Sequence, residues 1–175
     1  ILLKNVGINP TRAGILKICR QMGADITLLN EKHQGEPTAD ILVRTSSLKG
    51  TVIEGADIPT LIDEIPVLAV MAAFADGTTV IRDAQELKVK ESDRIAVMVE
   101  NLKRMGADIE GTDDGMIIRG GKPLHGAVID PHMDHRVAMS FAVAGTVCQG
   151  SMEITDGDCV KISYPGFYED LYRLG

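Results

Sequence analysis

The chain repeats itself, and no other feature limits so tightly the folds open to it. Met22-Gly23-Ala24-Asp25-Ile26 returns as Met105-Gly106-Ala107-Asp108-Ile109. Leu48-Lys49-Gly50-Thr51-Val52-Ile53-Glu54 returns as Leu124-His125-Gly126-Ala127-Val128-Ile129-Asp130. A third, partial copy closes the chain, where Val160-Lys161-Ile162-Ser163 lines up with Val89-Lys90-Glu91-Ser92. Self-similarity of this kind marks one supersecondary unit used several times, each copy covering the apolar face of the next. The units run over residues 1–77, 78–150 and 151–175, the last of them incomplete. Lys90 and Lys161 then hold the same place in successive units, and would converge on one site if the units pack round a local axis.

Each unit reads as strand, helix, strand, strand, helix, strand. Asn9-Pro10 is an N-cap with proline at the first helical position, predicting a helix over Thr11–Met22 that Gly23 stops. Strands are expected over Asp25–Leu29, Asp40–Arg44 and Val52–Glu54, with a polar loop from Asn30 to Ala39. A helix over Thr60–Ala75 and a strand over Thr78–Arg82 complete the first round. The second round predicts helices over Ser92–Met105 and Asp134–Val147. Its strands are Asp108–Glu110, Gly115–Arg119, Ala127–Ile129 and Ser151–Thr155, and a last helix covers Gly166–Leu174.

The helices are of two kinds. Ile15–Met22 and Ile95–Met105 carry one apolar face, with Lys17, Arg20, Glu100, Lys103 and Arg104 outside. Ile65–Ala75 and Val137–Cys148 are apolar on every side, so both are expected to be buried all round. Their many alanines let two such helices approach closely. The fold class that follows is α/β turned inside out: helices in the centre and sheets outside.

A net charge of −7 with no long basic run argues against a nucleic-acid partner, and aromatics at 3% leave no base-stacking platform. The longest apolar run, Val137–Cys148, is too short to span a bilayer. Three widely spaced cysteines, Cys19, Cys148 and Cys159, fit reduced thiols in a cytoplasmic protein. The chain starts at Ile1, already in a strand-like Ile-Leu-Leu, and reads as part of something longer.

The stretch Lys88-Val89-Lys90-Glu91-Ser92-Asp93-Arg94 packs three basic and two acidic residues into the turn before a helix. Charges of both signs there can hold a small anion beside a proton-transfer group, helped by the helix N-terminus. A solvated loop with a helix cap is the plain alternative. Asp63-Glu64 and Asp134-His135-Arg136 likewise open the two all-apolar helices. Charged groups at those places are costly to bury alone, so they should meet one another or a ligand. The expected constellation is Asp63, Glu64, Lys90, Glu91, Arg94, Asp134, His135, Arg136 and Lys161. Asp134 could equally be a helix cap and Arg136 an ion-pair partner. His132 and His135 would be candidate metal ligands, but no further Cys or His cluster supports a metal site. Gly-x-Ser-x-Gly and comparable nucleophile motifs are absent.

Those motifs resemble the 5-enolpyruvylshikimate-3-phosphate (EPSP) synthase family. The resemblance is carried by Val89-Lys90-Glu91-Ser92-Asp93-Arg94, Asp134-His135-Arg136 and Lys161 with Ser163-Tyr164-Pro165. Asn9-Pro10-Thr11-Arg12 and Asp63-Glu64-Ile65-Pro66 add to it, in the right order along nearly the whole chain. Lys88 stands where many relatives carry Arg, and Glu86 where some carry Asn.

The resemblance implies an enolpyruvyl-transferase fold of two inside-out α/β domains with the site between them. It implies a transferase that moves the enolpyruvyl group of phosphoenolpyruvate onto the 5-hydroxyl of shikimate 3-phosphate, releasing phosphate, in aromatic amino-acid synthesis. Addition and elimination through a tetrahedral intermediate would need no metal and no organic cofactor. Glyphosate occupies the phosphoenolpyruvate position in sensitive members. By the same resemblance Lys90, Arg94, Arg136 and Lys161 would bind the carboxylate and phosphate of phosphoenolpyruvate. Glu91 would move the proton at the methylene carbon, Asp63 would accept or orient the hydroxyl proton, and His135 would support Arg136. The family's N-terminal Lys-Ser motif and Asn-Ala-Gly-Thr loop are missing, so the chain corresponds to the C-terminal domain and is expected to be inactive without its N-terminal partner. The sister transferase acting on a UDP-sugar is the near rival, disfavoured by Lys-Glu-Ser-Asp-Arg followed by Asp-His-Arg. A non-catalytic anion-binding domain is the alternative from another class.

Overall fold

A sheet of three antiparallel strands opens the computed structural model, which describes residues 1–174. These are β1 (Leu2–Gly7), β2 (Asp25–Lys32) and β3 (Thr38–Arg44), in the order β1-β3-β2, with α1 (Gly14–Gln21) joining the first two. Ala39 and Ile41 of β3 alternate inward while the outer face stays open, as a one-sided antiparallel sheet should. Half of the expected polar loop over 30–39 is strand. Asn30 takes a left-handed φ of 52° where the ladder shifts register, and its side chain bonds Asp40 at 2.7 Å. That leaves only 33–37 to turn. The first helix also starts later than expected, because Asn9 Oδ1 accepts from the backbone N–H of Thr11 and closes a local turn instead of capping a helix.

The second sheet has β4 (Val52–Ile53), β5 (Thr78–Ile81), β6 (Asp108–Gly111) and β7 (Met116–Arg119) in the order β4-β5-β7-β6. Only β4 and β5 run parallel, with α2 (Ile65–Phe74) as their crossover; α3 (Arg94–Arg104) links β5 to β6. A third sheet pairs β8 (Val128–Ile129) in parallel with β9 (Glu153–Ile154), across α4 (His135–Gly145). The helix α5 (Phe167–Leu174) follows. Three short 3-10 turns, Gly55–Thr60, Gln85–Val89 and Gly157–Ile162, were not foreseen.

Gly50 and Gly126, which match in the repeat, show why the pattern returns. Their backbone N–H groups donate to Asp76 and Gln149 carbonyls, each at 2.7 Å. A Cβ at Gly50 would lie 2.2 Å from the Thr78 carbonyl oxygen, and one at Gly126 would lie 2.0 Å from that of Ser151. Each crossing of two chain segments therefore needs a residue without a side chain.

The core lies between the sheets and is centred on α2, whose Ile65, Leu68, Ala69, Val70, Ala72 and Ala73 are all buried. Its start falls five residues after the expected Thr60, since a longer helix would put Pro66 in its interior, where the missing N–H breaks the ladder. The expectation for α4 needs a larger correction. Val137, Ala138, Phe141 and Ala144 are buried, but Val143 is exposed and Met139 half-buried. This helix lies at the rim of the core, and one stripe faces a cleft.

Candidate active site

α2, α3 and α4 begin close together, and their charged residues meet at one guanidinium. Arg94, the first residue of α3, is 1% exposed and spends each nitrogen on a different carboxylate. Nε donates to Asp134 Oδ2 at 2.8 Å, the NH1 group to Asp63 Oδ1 at 3.1 Å and the NH2 group to Glu91 Oε2 at 2.6 Å. Helix N-termini carry partial positive charge, which converging there would repel Arg94 and one another. The three carboxylates offset that.

Asp134 does two jobs. Its Oδ1 caps α4 by accepting from the backbone N–H groups of Arg136 and Val137 at 3.0 and 3.3 Å. Its Oδ2 takes Arg94 and the Ser92 hydroxyl, which donates at 3.1 Å. Burial alone would raise this carboxyl, but Arg94 and the two backbone donors outweigh it and hold it below the usual carboxylate range. Asp63 is tuned the same way: burial pushes up, while Arg136, Arg94 and Lys90 together bring it down. Glu64 goes the other way, raised chiefly by burial and then by the charge of Asp63, against the pull of Arg136.

Arg136 differs from Arg94 in grip. Its nitrogens lie 3.4 Å from Asp63 Oδ2 and 3.6 Å from Glu64 Oε1, long for charge-assisted bonds. It is also half-buried rather than sealed. Arg94 is therefore fixed, and Arg136 is free to exchange its partners for a ligand. The cleft beside it, about 200 Å³, is walled by Asp63, Glu64, Met139, Val143 and Phe167. A second hollow of about 140 Å³ lies on the other side of Asp63 and Glu64, against Thr11 and Arg12. A wider hollow of about 600 Å³ along Met152, Ile154, Asp156, Asp158 and Tyr168 has only acidic charges, the wrong sign for an anion.

Of the expected site residues, the structure joins Asp63, Glu91, Arg94 and Arg136, with Asp134 and Glu64. Lys90 bonds Glu86 and lies near enough to help hold Asp63 ionised. His135 sits at the head of α4, buried, its Nδ1 without a hydrogen-bond partner. Lys161 stands apart: 59% exposed, its ammonium pairs with Asp158 at 2.8 Å. The turn that carries it packs on α4 through Cys159 and Val160. Ser92 and Phe167 were not given roles from sequence; a hydroxyl two residues before Arg94 was the available signal for Ser92. His132 lies beside Glu100 and Asp130 instead of His135, and among the described residues no group of three or more His, Cys, Asp or Glu could hold a metal ion.

This arrangement, an anchored arginine amid carboxylates beside a loosely paired one, can hold an anion and pass protons at its edge. Residues 1–171 match the family described as EPSP synthase (3-phosphoshikimate 1-carboxyvinyltransferase). The chain belongs to the EPSP synthase family.

Among its EPSP synthase relatives, the 3-phosphoshikimate 1-carboxyvinyltransferase of Synechococcus sp. (strain JA-3-3Ab) is 55% identical, over 99% of this chain and 39% of its own length. That of Gloeobacter violaceus is 56% identical, over 99% of this chain and 40% of its own length. The EPSP synthase structure from Acinetobacter baumannii superposes with a TM-score of 0.95 at 46% identity, covering 99% of this chain and 41% of that one. The enolpyruvyl transferase NikO from Streptomyces tendae shares the fold, with a TM-score of 0.72 at 20% identity, covering 99% of this chain and 38% of its own. The chain thus spans about two fifths of the length of the EPSP synthases it matches. Its α/β fold is that of the enolpyruvyl transferases, with Arg94 at the meeting point of three helix starts.

Proposed function

We propose that this chain is the C-terminal domain, built of the three units named above, of an enzyme that transfers the enolpyruvyl group of phosphoenolpyruvate to the 5-hydroxyl of shikimate 3-phosphate. The observation that carries this reading is the contrast between sealed Arg94 and loosely paired Arg136 at a cleft mouth. Family membership over residues 1–171 supports it. Free thiols at Cys19, Cys148 and Cys159 support a cytoplasmic location. No helix among the described residues is long and apolar enough to cross a membrane.

In this reading Arg136, Lys90 and Lys161 take the carboxylate and phosphate of phosphoenolpyruvate, and Arg94 adds its two unused N–H groups from behind Asp63 and Glu91. Glu91 gives a proton to the methylene carbon while the 5-hydroxyl oxygen bonds to the adjacent carbon and Asp63 takes the hydroxyl proton. Glu91 then removes a proton from the new methyl group as the carbon–oxygen bond to phosphate breaks. Positive charge developing on the enolpyruvyl unit is met by fixed carboxylates, and departing phosphate by the cations. His135 supports Arg136 from the same turn. The N-terminal domain supplies the grip on shikimate 3-phosphate.

The test is phosphate release from phosphoenolpyruvate and shikimate 3-phosphate, with this chain alone and with the N-terminal part of a relative added in trans. Turnover only in the combined sample, abolished by Asp63→Asn and weakened through a higher KM for phosphoenolpyruvate by Arg136→Ala, is the expected result. Normal rates from the chain alone, or turnover with UDP-N-acetylglucosamine in place of shikimate 3-phosphate, would overturn it.

A further inference from the structure

The five residues that lead into α4, Asp130-Pro131-His132-Met133-Asp134, hold an unusual backbone. His132 and Met133 both take left-handed φ angles, 50° and 61°, where residues with side chains rarely stay unless their surroundings insist. Met133 is 58% exposed, so its own packing does not hold it there.

α3 grips both ends of this loop from one face. At the far end Arg94 holds Asp134. At the near end the wholly buried Asn101, two turns along the same helix, takes both backbone groups of Asp130. Its Oδ1 accepts from Asp130 N–H at 3.0 Å, and its Nδ2 donates to the Asp130 carbonyl at 2.7 Å. The remaining capacity of the amide goes to the Val97 carbonyl at 3.0 Å and to Arg104 at 3.5 Å. Nothing in the side chain is left unused.

The first unit serves as an internal control. By the repeat, Asn101 matches Ile18, Asp134 matches Ile58 and Pro131 matches Gly55. There Ile18 and Ile58 are apolar and buried, Thr11 in the place of Arg94 is exposed, and one glycine at a φ of 57° makes the turn. In the second unit proline occupies that place, and the left-handed turn is pushed onto His132 and Met133. The polar clip and the strained loop occur together, in the unit that carries Glu91, Arg94, Asp134 and Arg136.

We infer that Asn101 is a positioning residue: it clips Asp130 to α3 and so fixes the loop that aims Asp134, His135 and Arg136. As a catalytic contribution this rests on the function proposed above, whereas the clip itself can be tested without turnover. In the 175-residue chain labelled with 15N, the Arg94 Nε–H bonded to Asp134 should give a protected signal. Asn101→Ile, the residue of the first unit, should speed exchange of that proton at least tenfold and shift the amides of Asp134, His135 and Arg136. Signals from β1, β2 and β3 should stay put. Asn101→Ser, which cannot reach both groups of Asp130, should do the same if the isoleucine variant does not fold. In the enzyme completed by its N-terminal part, either variant should lower kcat about tenfold with KM within about threefold. A folded variant with an unmoved Arg94 signal overturns the clip. A moved signal in a sample that never turns over upholds the clip and overturns the enzymatic reading.

Discussion

Arg94 Nε and Asp134 Oδ2 stand 2.8 Å apart, and neither side chain reaches solvent, at 1% and 0% exposure. A sealed pair of this kind has little to offer net stability compared with apolar residues of the same shape, but breaking it strands a charge. Arg94→Met should therefore cost about 3–5 kcal/mol in urea unfolding. Arg94→Lys should recover little, since one ammonium cannot reach three carboxylates set around a planar fork. The double variant Arg94→Met with Asp134→Leu should be markedly more stable than Arg94→Met alone.

Acid should act through the same cluster. Asp63 and Asp134 are depressed in the folded state, so the folded chain binds fewer protons there than the unfolded one. Their contribution is complete above the ordinary carboxylate value of about 4 and is lost as pH falls through the folded values. The melting temperature should hold between roughly pH 5 and 7 and drop below about pH 4, with a shallower acid limb in Arg94→Met. Glu64 is raised, so its sign is opposite: Glu64→Gln should not lower the melting temperature at neutral pH.

Arg136 and Lys161 separate binding from stability. Lys161 is an exposed partner of Asp158, and such pairs are worth little, so Lys161→Ala should change stability by less than about 0.5 kcal/mol. In the completed enzyme Lys161→Ala and Arg136→Ala should each raise KM for phosphoenolpyruvate at least about tenfold, the loss of one charge-assisted contact. An unchanged KM in Lys161→Ala would remove that lysine from the site.

Gly126→Ala would place a methyl 2.0 Å from the Ser151 carbonyl oxygen. The two segments must then separate, and a loss of about 1–3 kcal/mol is expected from thermal or urea melts. Gly50→Ala, aimed at the Thr78 carbonyl, should behave alike.

Much of this was legible in the residues themselves. The repeat and the all-apolar run around Leu68 pointed to a buried central helix, and the charges excluded from that run had to collect at its end. Asp63 and Arg136 were found that way because burying a charge has few solutions, and Arg94 from the run of mixed charges over Lys88–Arg94. What Arg94 does with its charge was not legible. A motif rich in cations reads as a ligand site, and only the geometry separates the arginine that is spent on carboxylates from the one that is loosely held. Asn101 was hidden for another reason: a single polar residue on the inner face of an amphipathic helix gives no signal until its partner, a backbone far along the chain, is in place. The short 3-10 turns escaped because five or six residues are too few to show a period.

The pairing of β8 with β9 rests on two residues from each strand, while the neighbouring sheet joins four strands. So brief a ladder lends its end of the molecule little cooperativity, and opening there does not require the centre to open. Amides of β9 and the turn after it should therefore exchange with deuterium well before those around α2. In time order, the chain would come apart from its last unit toward its first, the reverse of how it is written.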